Sequence, residues 1–313
     1  MAGAVTARPL AHLTSLWPSG GWVLGLPFPL WCASRLVEGE VRWEQIALAL
    51  VMPALAYTSV RTRNLFVAVL PLALLGLTYD AMRYVEDVGI TPARVHVCDL
   101  RAIDAALFGR PGWTVHDWFQ GHPVAALDLI CAVPYGAFLF VTVAFALWLY
   151  AHAPREAALR FGWTFFAMSA LGFVTYHVYP AAAPWYFHAH GCTVDLATHA
   201  SAGPNLTRVD QWLGVRYFEG MYGRSNDVFG SVPSLHVAYP MLIALEGWRW
   251  MRAPGRVAAV VFAVWMSFAA VYLDHHWIVD LVLGWLYCGA GYAGVSRLIR
   301  AATPVPDAVR SSG

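Results

Sequence analysis

Lysine is missing from this sequence: all 20 basic residues among its 313 are arginine. Charge of either sign is scarce. Asp, Glu, Lys and Arg make up 12% of the chain, hydrophobic residues make up 59%, and the mean hydropathy is +0.53. Soluble domains carry about 25% charged residues, so this composition excludes a chain folded around one water-exposed core. Internal repeats, low-complexity tracts and a soluble domain are also absent. A cleavable leader is not expected either, because "MAGAVTARPLAHLTSLWPSG" has no uninterrupted apolar core and no clear small-residue cleavage site. The first apolar span then serves as the targeting signal.

What is there is a series of apolar runs close to the roughly 20 residues that cross a bilayer as helix. They predict spans at 45–61, 65–85, 125–150, 157–179, 233–249, 256–273 and 277–298. A weaker eighth, 21–36, is short and holds two prolines, which leaves a re-entrant or interfacial segment open. The expected fold is all-α, a polytopic membrane bundle of six to eight helices. Residues 1–124 read as N-terminal spans with outward interfacial helices, 125–300 as the catalytic transmembrane core, and 301–313 as a disordered tail.

Arginine orients the bundle, because positively charged loops stay inside. With eight spans, one face collects 11 arginines and 3 acidic residues, and the other holds 9 arginines and 16 acidic residues. The first face is the inner one, so 86–124 and 180–232 lie outside. The 86–124 stretch contains "DLRAIDAALFG" and "TVHDWFQGH", which read as short amphipathic helices at the interface, anchored by Trp113, Trp118 and Phe119. Cys98 and Cys192 both fall outside, where a disulfide is allowed. Cys32, Cys131 and Cys288 read as packing residues within spans. No nucleic-acid partner is expected, and protein partners stay open.

Ionisable groups near spans are costly and ask for a reason. In "VYLDHHWIVDLVLGW", residues 271–285, His276 and Asp280 stand four apart at a helix start, where a carboxylate can hold one imidazole tautomer. Topology brings His236 of "GSVPSLHVAYP" to the same face. Two histidines and an aspartate at one depth suit covalent transfer. They also suit a metal, although no further ligand cluster completes a shell. Gly230, Ser231 and Ser234 offer backbone N–H groups to an anion, Arg224 offers a phosphate clamp, and His275 belongs to the same turn. Trp185 and Tyr186 either stack on a head group or form part of an aromatic belt. Tyr79, Asp80 and Arg83 read as an interfacial anchor, and His177, His188 and His190 as loop or core residues.

Taken together, "FGSVPSLH" at 229–236, "YLDHHWIVD" at 272–280 and Pro184-Trp185-Tyr186 resemble the type 2 phosphatidic acid phosphatase superfamily, and within it the aureobasidin-resistance branch of inositol phosphorylceramide synthases. The resemblance covers roughly 160–299. It implies a six-helix catalytic core with His276 as nucleophile forming a phosphohistidine, Asp280 raising its nucleophilicity, and His236 as general acid and base, with no metal or cofactor. It also implies a phospholipid donor, phosphatidylinositol favoured, and a ceramide-like acceptor. The phosphatase branch uses a lysine-containing motif that this chain lacks, and Leu235 replaces the usual glycine there. Both departures favour the synthases, with hydrolysis of a lipid or polyprenyl phosphate as the alternative and a non-enzymatic transporter a further one. The all-arginine composition points to a bacterial inner membrane with the site facing the periplasm; a eukaryotic source would place it in the Golgi lumen.

Overall fold

A computed structural model describes residues 11–85, 87–198, 203–223 and 228–302. Arg224 and the tail expected beyond residue 302 lie outside these described residues. Among them the chain is helical, with isolated bridges as its only extended pairings. The helices are α1 (Pro27–Val37), α2 (Trp43–Thr58), α3 (Val60–Ala81), α4 (Cys98–Phe108), α5 (Val115–Gly121), α6 (Ala125–His152), α7 (Arg155–Val178), α8 (Pro184–His190), α9 (Gly203–Leu213), α10 (Tyr217–Tyr222), α11 (Leu235–Gly247), α12 (Ala253–Tyr272) and α13 (Ile278–Ala302).

Five stretches are long and apolar enough to cross a membrane: Val60–Tyr84, Ala125–His152, Arg155–Val178, Ala253–Tyr272 and Ile278–Ala302. This makes the chain an integral membrane protein. Two expected spans are shorter than the sequence suggests. The 45–61 run folds as the 16 residues of α2, and the 233–249 run as the 13 residues of α11. At 1.5 Å per residue α11 covers about 20 Å, less than the roughly 30 Å hydrocarbon layer. It tolerates this because protein surrounds it: Leu235, Val237, Ala238, Leu242 and Ile243 are all buried. Lipid-facing helices behave otherwise, and Phe140, Leu147, Val257, Val264 and Leu286 stand exposed on α6, α12 and α13.

Residues 21–37 run from one end of the α2–α3 hairpin to the other. The Tyr57 hydroxyl donates to the Trp22 carbonyl at one end, and Arg35 meets Tyr84 and Glu38 at the other. A small N-terminal core of Trp17, Phe28, Met52, Phe66 and Leu70 closes this unit. Leu75 on the far side of α3 belongs to the main core with α6, α7, α11 and α12, so α3 is shared across the boundary expected at residue 124. Asp80, expected as an interfacial anchor with Arg83, is a buried clamp that accepts from Trp31 Nε1 at 2.7 Å and Gln45 Nε2 at 2.6 Å and pairs with Arg42 and Arg83.

The stretches expected to face outward, 86–124 and 180–232, are built rather than loose where the structure describes them. Cys98 and Cys192 form a disulfide across them. Ala181 bridges His96 on one side and Gly230 on the other, through bonds such as Ala181 N to Phe229 O at 2.7 Å and Ala182 N to His96 O at 2.8 Å. The expected amphipathic helices are present as α4 and α5. Their inward sides bury charge as well as apolar surface: Asp104 of α4 accepts the Val279 N–H at the start of α13 at 3.0 Å. A carboxylate at a helix N-terminus satisfies a donor that would otherwise be orphaned.

At the end of the bundle away from His236 and His276, Arg160 of α7 and Glu246 of α11 form a buried bidentate pair, Nε to Oε2 at 2.7 Å and NH2 to Oε1 at 2.5 Å, with the Trp250 indole donating to Glu246 at 2.9 Å. Removing one partner of such a pair leaves a buried charge alone. Glu246→Gln is therefore expected to destabilise the bundle by about 3–5 kcal/mol, read by thermal unfolding in micelles, whereas Arg160→Met with Glu246→Leu restores most of that loss. Equal losses in the single and double variants would contradict this.

Candidate active site

His236 sits in the first turn of α11 and His276 in the turn before α13, and the fold brings the two rings into contact. Nδ1 of His236 lies 3.0 Å from Nε2 of His276. Backbone contacts create this meeting: Ser234 N donates to the Asp280 carbonyl at 3.0 Å, and a Cβ on Gly284 would stand 2.3 Å from the Ser234 carbonyl. Only glycine at 284 lets α13 lie this close to the turn that starts α11.

The tautomers follow from the partners. Nδ1 of His276 faces the Ser231 carbonyl at 3.0 Å; a carbonyl only accepts, so Nδ1 carries the hydrogen and Nε2 keeps its lone pair. Nδ1 of His236 is then the donor toward His276. The expectation that Asp280 itself orients His276 is corrected here. Its Oδ2 lies 3.6 Å from Nδ1, too far for a hydrogen bond. Asp280 instead accepts from the Ser231 hydroxyl at 2.5 Å and from Trp277 N at 2.9 Å. Ser231 is the bridge, with its hydroxyl on Asp280 and its carbonyl on His276. Burial pushes the His276 imidazole down to about 4, so its nitrogen is unprotonated at neutral pH.

Other expected contributors are sorted by position. Ser231 N donates to the Ala181 carbonyl at 3.1 Å and Ser234 N to Asp280, so neither amide is offered to an anion, and the Ser234 side chain is fully buried. Tyr186 is also fully buried, and its hydroxyl is tied to Asp195 N at 2.7 Å, so it is a core residue and not a stacking surface. Trp185, Gly230, Ser231 and His275 do line the cavity that the two histidines close.

That cavity holds about 430 Å³ and is mainly apolar. Leu72 and Leu75 of α3, Phe138 of α6 and Phe173 of α7 form its body, with His236, His275 and His276 at its polar end. Gly76, Tyr79, Leu139 and Val143 are both cavity wall and exposed surface. The cavity therefore opens sideways, between α3 and α6, toward lipid.

Behind the histidines lies a charged cluster that spacing along the chain does not reveal, because its members come from three outward segments. Asp274, at φ +65°, is among the described residues the non-glycine residue with a left-handed backbone, a conformation Asp tolerates better than most. Its carboxylate accepts from Gln120 Nε2 at 3.1 Å and His188 Nδ1 at 2.6 Å, and lies 3.4 Å from His116. Its carbonyl accepts the Trp185 N–H at 3.0 Å. His188 reaches on to Asp117 at 3.2 Å, which Arg101 grips with two bonds of 2.9 Å. Burial opposes charge on Asp274 and His188, yet their mutual contact and that of His188 with Asp117 win, holding the Asp274 carboxyl below its usual range and the His188 imidazole above its own. His188, expected as a loop or core histidine, is thus the charged link of this cluster. Among the described residues no group of three His, Cys, Asp or Glu side chains is placed to hold a metal ion.

Comparison with known proteins shows the family. A family model described as PAP2 superfamily matches residues 98–294. A phosphoinositol dihydroceramide synthase of Bacteroides thetaiotaomicron is 33% identical over 78% of this chain and 81% of its own length. An inositol phosphorylceramide synthase of Candida albicans is 33% identical over 50% of this chain and 34% of its own, and the catalytic subunit of the Schizosaccharomyces pombe enzyme is 26% identical over 80% and 58%. The chain thus spans most of the bacterial relative and about a third to three fifths of these fungal ones. No solved structure matches it significantly.

Two outcomes are expected. The unfolded chain takes up a proton on His276 near pH 6.5 that the folded protein takes up only near 4. Stability therefore falls as pH drops through that window, and His276→Gln flattens the fall in thermal unfolding. Asp274→Gly keeps the left-handed backbone but loses the cluster, so turnover drops by about tenfold, equivalent to about 1.4 kcal/mol of positioning, while Asp274→Asn drops less. Full turnover in Asp274→Gly would show that only the backbone conformation matters.

Proposed function

The chain belongs to the PAP2 superfamily, and on that premise we propose that it moves an inositol-phosphate head group from a phospholipid, with phosphatidylinositol as the favoured donor, to the hydroxyl of a ceramide-like lipid. The observation that carries this reading is the mainly apolar cavity that opens sideways to lipid and ends on His236 and His276. The relatives, named as phosphoinositol dihydroceramide and inositol phosphorylceramide synthases, support it. Both the leaving group and the acceptor are then lipids that reach the site from the bilayer.

In step one Nε2 of His276 attacks phosphorus. A P–N bond forms, the P–O bond to diacylglycerol breaks, and His236, which enters this step as the imidazolium, gives its Nδ1 proton to the departing oxygen and is left neutral with its remaining proton on Nε2. The Nδ1 proton of His276 stays on Nδ1, hydrogen-bonded to the Ser231 carbonyl, and the nearby Asp280 carboxylate stabilises the positive charge that develops on the ring. In step two the acceptor hydroxyl gives its proton to Nδ1 of His236 and attacks phosphorus, and the P–N bond breaks. A phosphodiester must part the two rings, which touch at 3.0 Å in this structure. Gly230, Trp185 and His275 border the space the head group then occupies. Arg224 is proposed as the phosphate clamp.

We place this chemistry on the outward face of a bacterial inner membrane, facing the periplasm; the arginine asymmetry supports that orientation. Head-group-labelled phosphatidylinositol, supplied in micelles with and without ceramide, tests the reading. Label is expected in a new lipid only with ceramide present, to be absent with His276→Ala, and to fall by about 10²- to 10⁴-fold with His236→Ala. Release of water-soluble inositol phosphate independent of ceramide would make the protein a hydrolase instead.

A further inference from the structure

The mechanism uses one face of His236 and leaves its other nitrogen unexplained. Nε2 of that ring meets the Tyr222 hydroxyl at 3.2 Å. Tyr222 ends α10, a helix held in place independently of the histidine. The Asp210 carboxylate accepts the N–H groups of Phe218 at 3.1 Å and Glu219 at 2.8 Å, the Tyr217 hydroxyl donates to the Gly136 carbonyl at 3.0 Å, and Phe218 is buried. Below it, Arg208 pairs with Asp128 of α6 at 2.8 Å. The Tyr222 hydroxyl therefore stands at a fixed point on the cavity wall.

We propose that Tyr222 is a positioning residue, whose hydroxyl holds Nδ1 of His236 toward the reacting phosphorus in both protonation states of the ring. This rests on the transfer reading above, in which His236 alternates between cation and neutral imidazole. A phenol both donates and accepts. Facing the cation, its oxygen accepts Nε2–H. Facing the ligand-free neutral ring, whose Nδ1–H points at His276, its O–H donates to the Nε2 lone pair. No lysine, arginine or carboxylate does both, and a phenylalanine does neither. Burial raises the Tyr222 phenol well above its usual range, which keeps the hydroxyl protonated throughout. Without it, Nε2 is left buried and unpaired, a costly state that the ring relieves by turning.

The test uses the full chain in micelles, comparing wild type with Tyr222→Phe and Tyr217→Phe. Two quantities are read: kcat and KM for phosphatidylinositol consumption with and without ceramide, and the ring-nitrogen shifts of His236 in ¹⁵N-histidine-labelled protein. Tyr222→Phe is expected to lower kcat by about tenfold or more, a share of the help a general acid–base group supplies. It should leave KM within about twofold and turn the fixed Nδ1–H signature of His236 into a mixture. Tyr217→Phe removes a hydroxyl from the same helix and should change neither. Unaltered kcat and nitrogen shifts in Tyr222→Phe overturn the proposal, and so does an equal kcat loss in both variants, which would assign the effect to anchoring of α10. Head-group release without transfer in wild type sinks the transferase reading yet still scores Tyr222 through hydrolysis. If no phospholipid is consumed, the nitrogen shifts alone decide.

Discussion

Ser231 makes three bonds, and the site depends on all of them. Its hydroxyl donates to Asp280, its carbonyl accepts from His276, and its amide donates to Ala181. Through them one residue joins the turn before α11, the start of α13 and the extended segment at 180–182. Burying a carboxylate such as Asp280 is costly unless donors meet it. The Ser231 hydroxyl and Trp277 N–H both donate to its Oδ2, while among the described residues Oδ1 has no hydrogen-bond partner. The hydrogen bond from His276 to a carbonyl fixes which nitrogen carries the lone pair, and from this the direction of the His236 contact follows.

The same constraint, that charge inside a bundle must be paired, organises both ends of the molecule. At one end Arg160 and Glu246 tie α7 to α11. At the other Asp274, His188, Asp117 and Arg101 form a chain of ion pairs from the turn that carries His276 to α4 and α5. These clusters are not strong sources of net stability, because desolvation offsets much of their attraction. What they supply is register. Helices that slide against one another lose hydrogen-bonded partners rather than only apolar contacts, which lipid would replace.

Much of the site was legible in the sequence because periodicity and topology place residues on faces. The four-residue spacing of His276 and Asp280, and the alternation of spans that brings His236 to the same side, are properties of helices. The same alternation puts Cys98 and Cys192 on one side, but that they bond is seen only in the structure. The roles that escaped notice act through the backbone or across long separations. Ser231 is legible as an anion-binding amide, but it orients His276 with a carbonyl that every residue possesses, so no motif marks that role. His188 meets Asp274 and Asp117 from 86 and 71 residues away, and hydrophobic patterning carries no signal for such meetings. The short α11 was misjudged for a related reason: composition distinguishes apolar from polar surroundings but does not separate lipid from protein.

The central claim is that Nε2 of His276 takes the head-group phosphate before any acceptor does. Rapid quenching of the protein with labelled phosphatidylinositol in the absence of acceptor, followed by peptide mapping at alkaline pH, tests it most directly. The account predicts an acid-labile inositol-phosphate adduct on the peptide carrying His276, discharged on addition of ceramide. Catalytic turnover with no adduct, or an adduct on His236 instead, would contradict it.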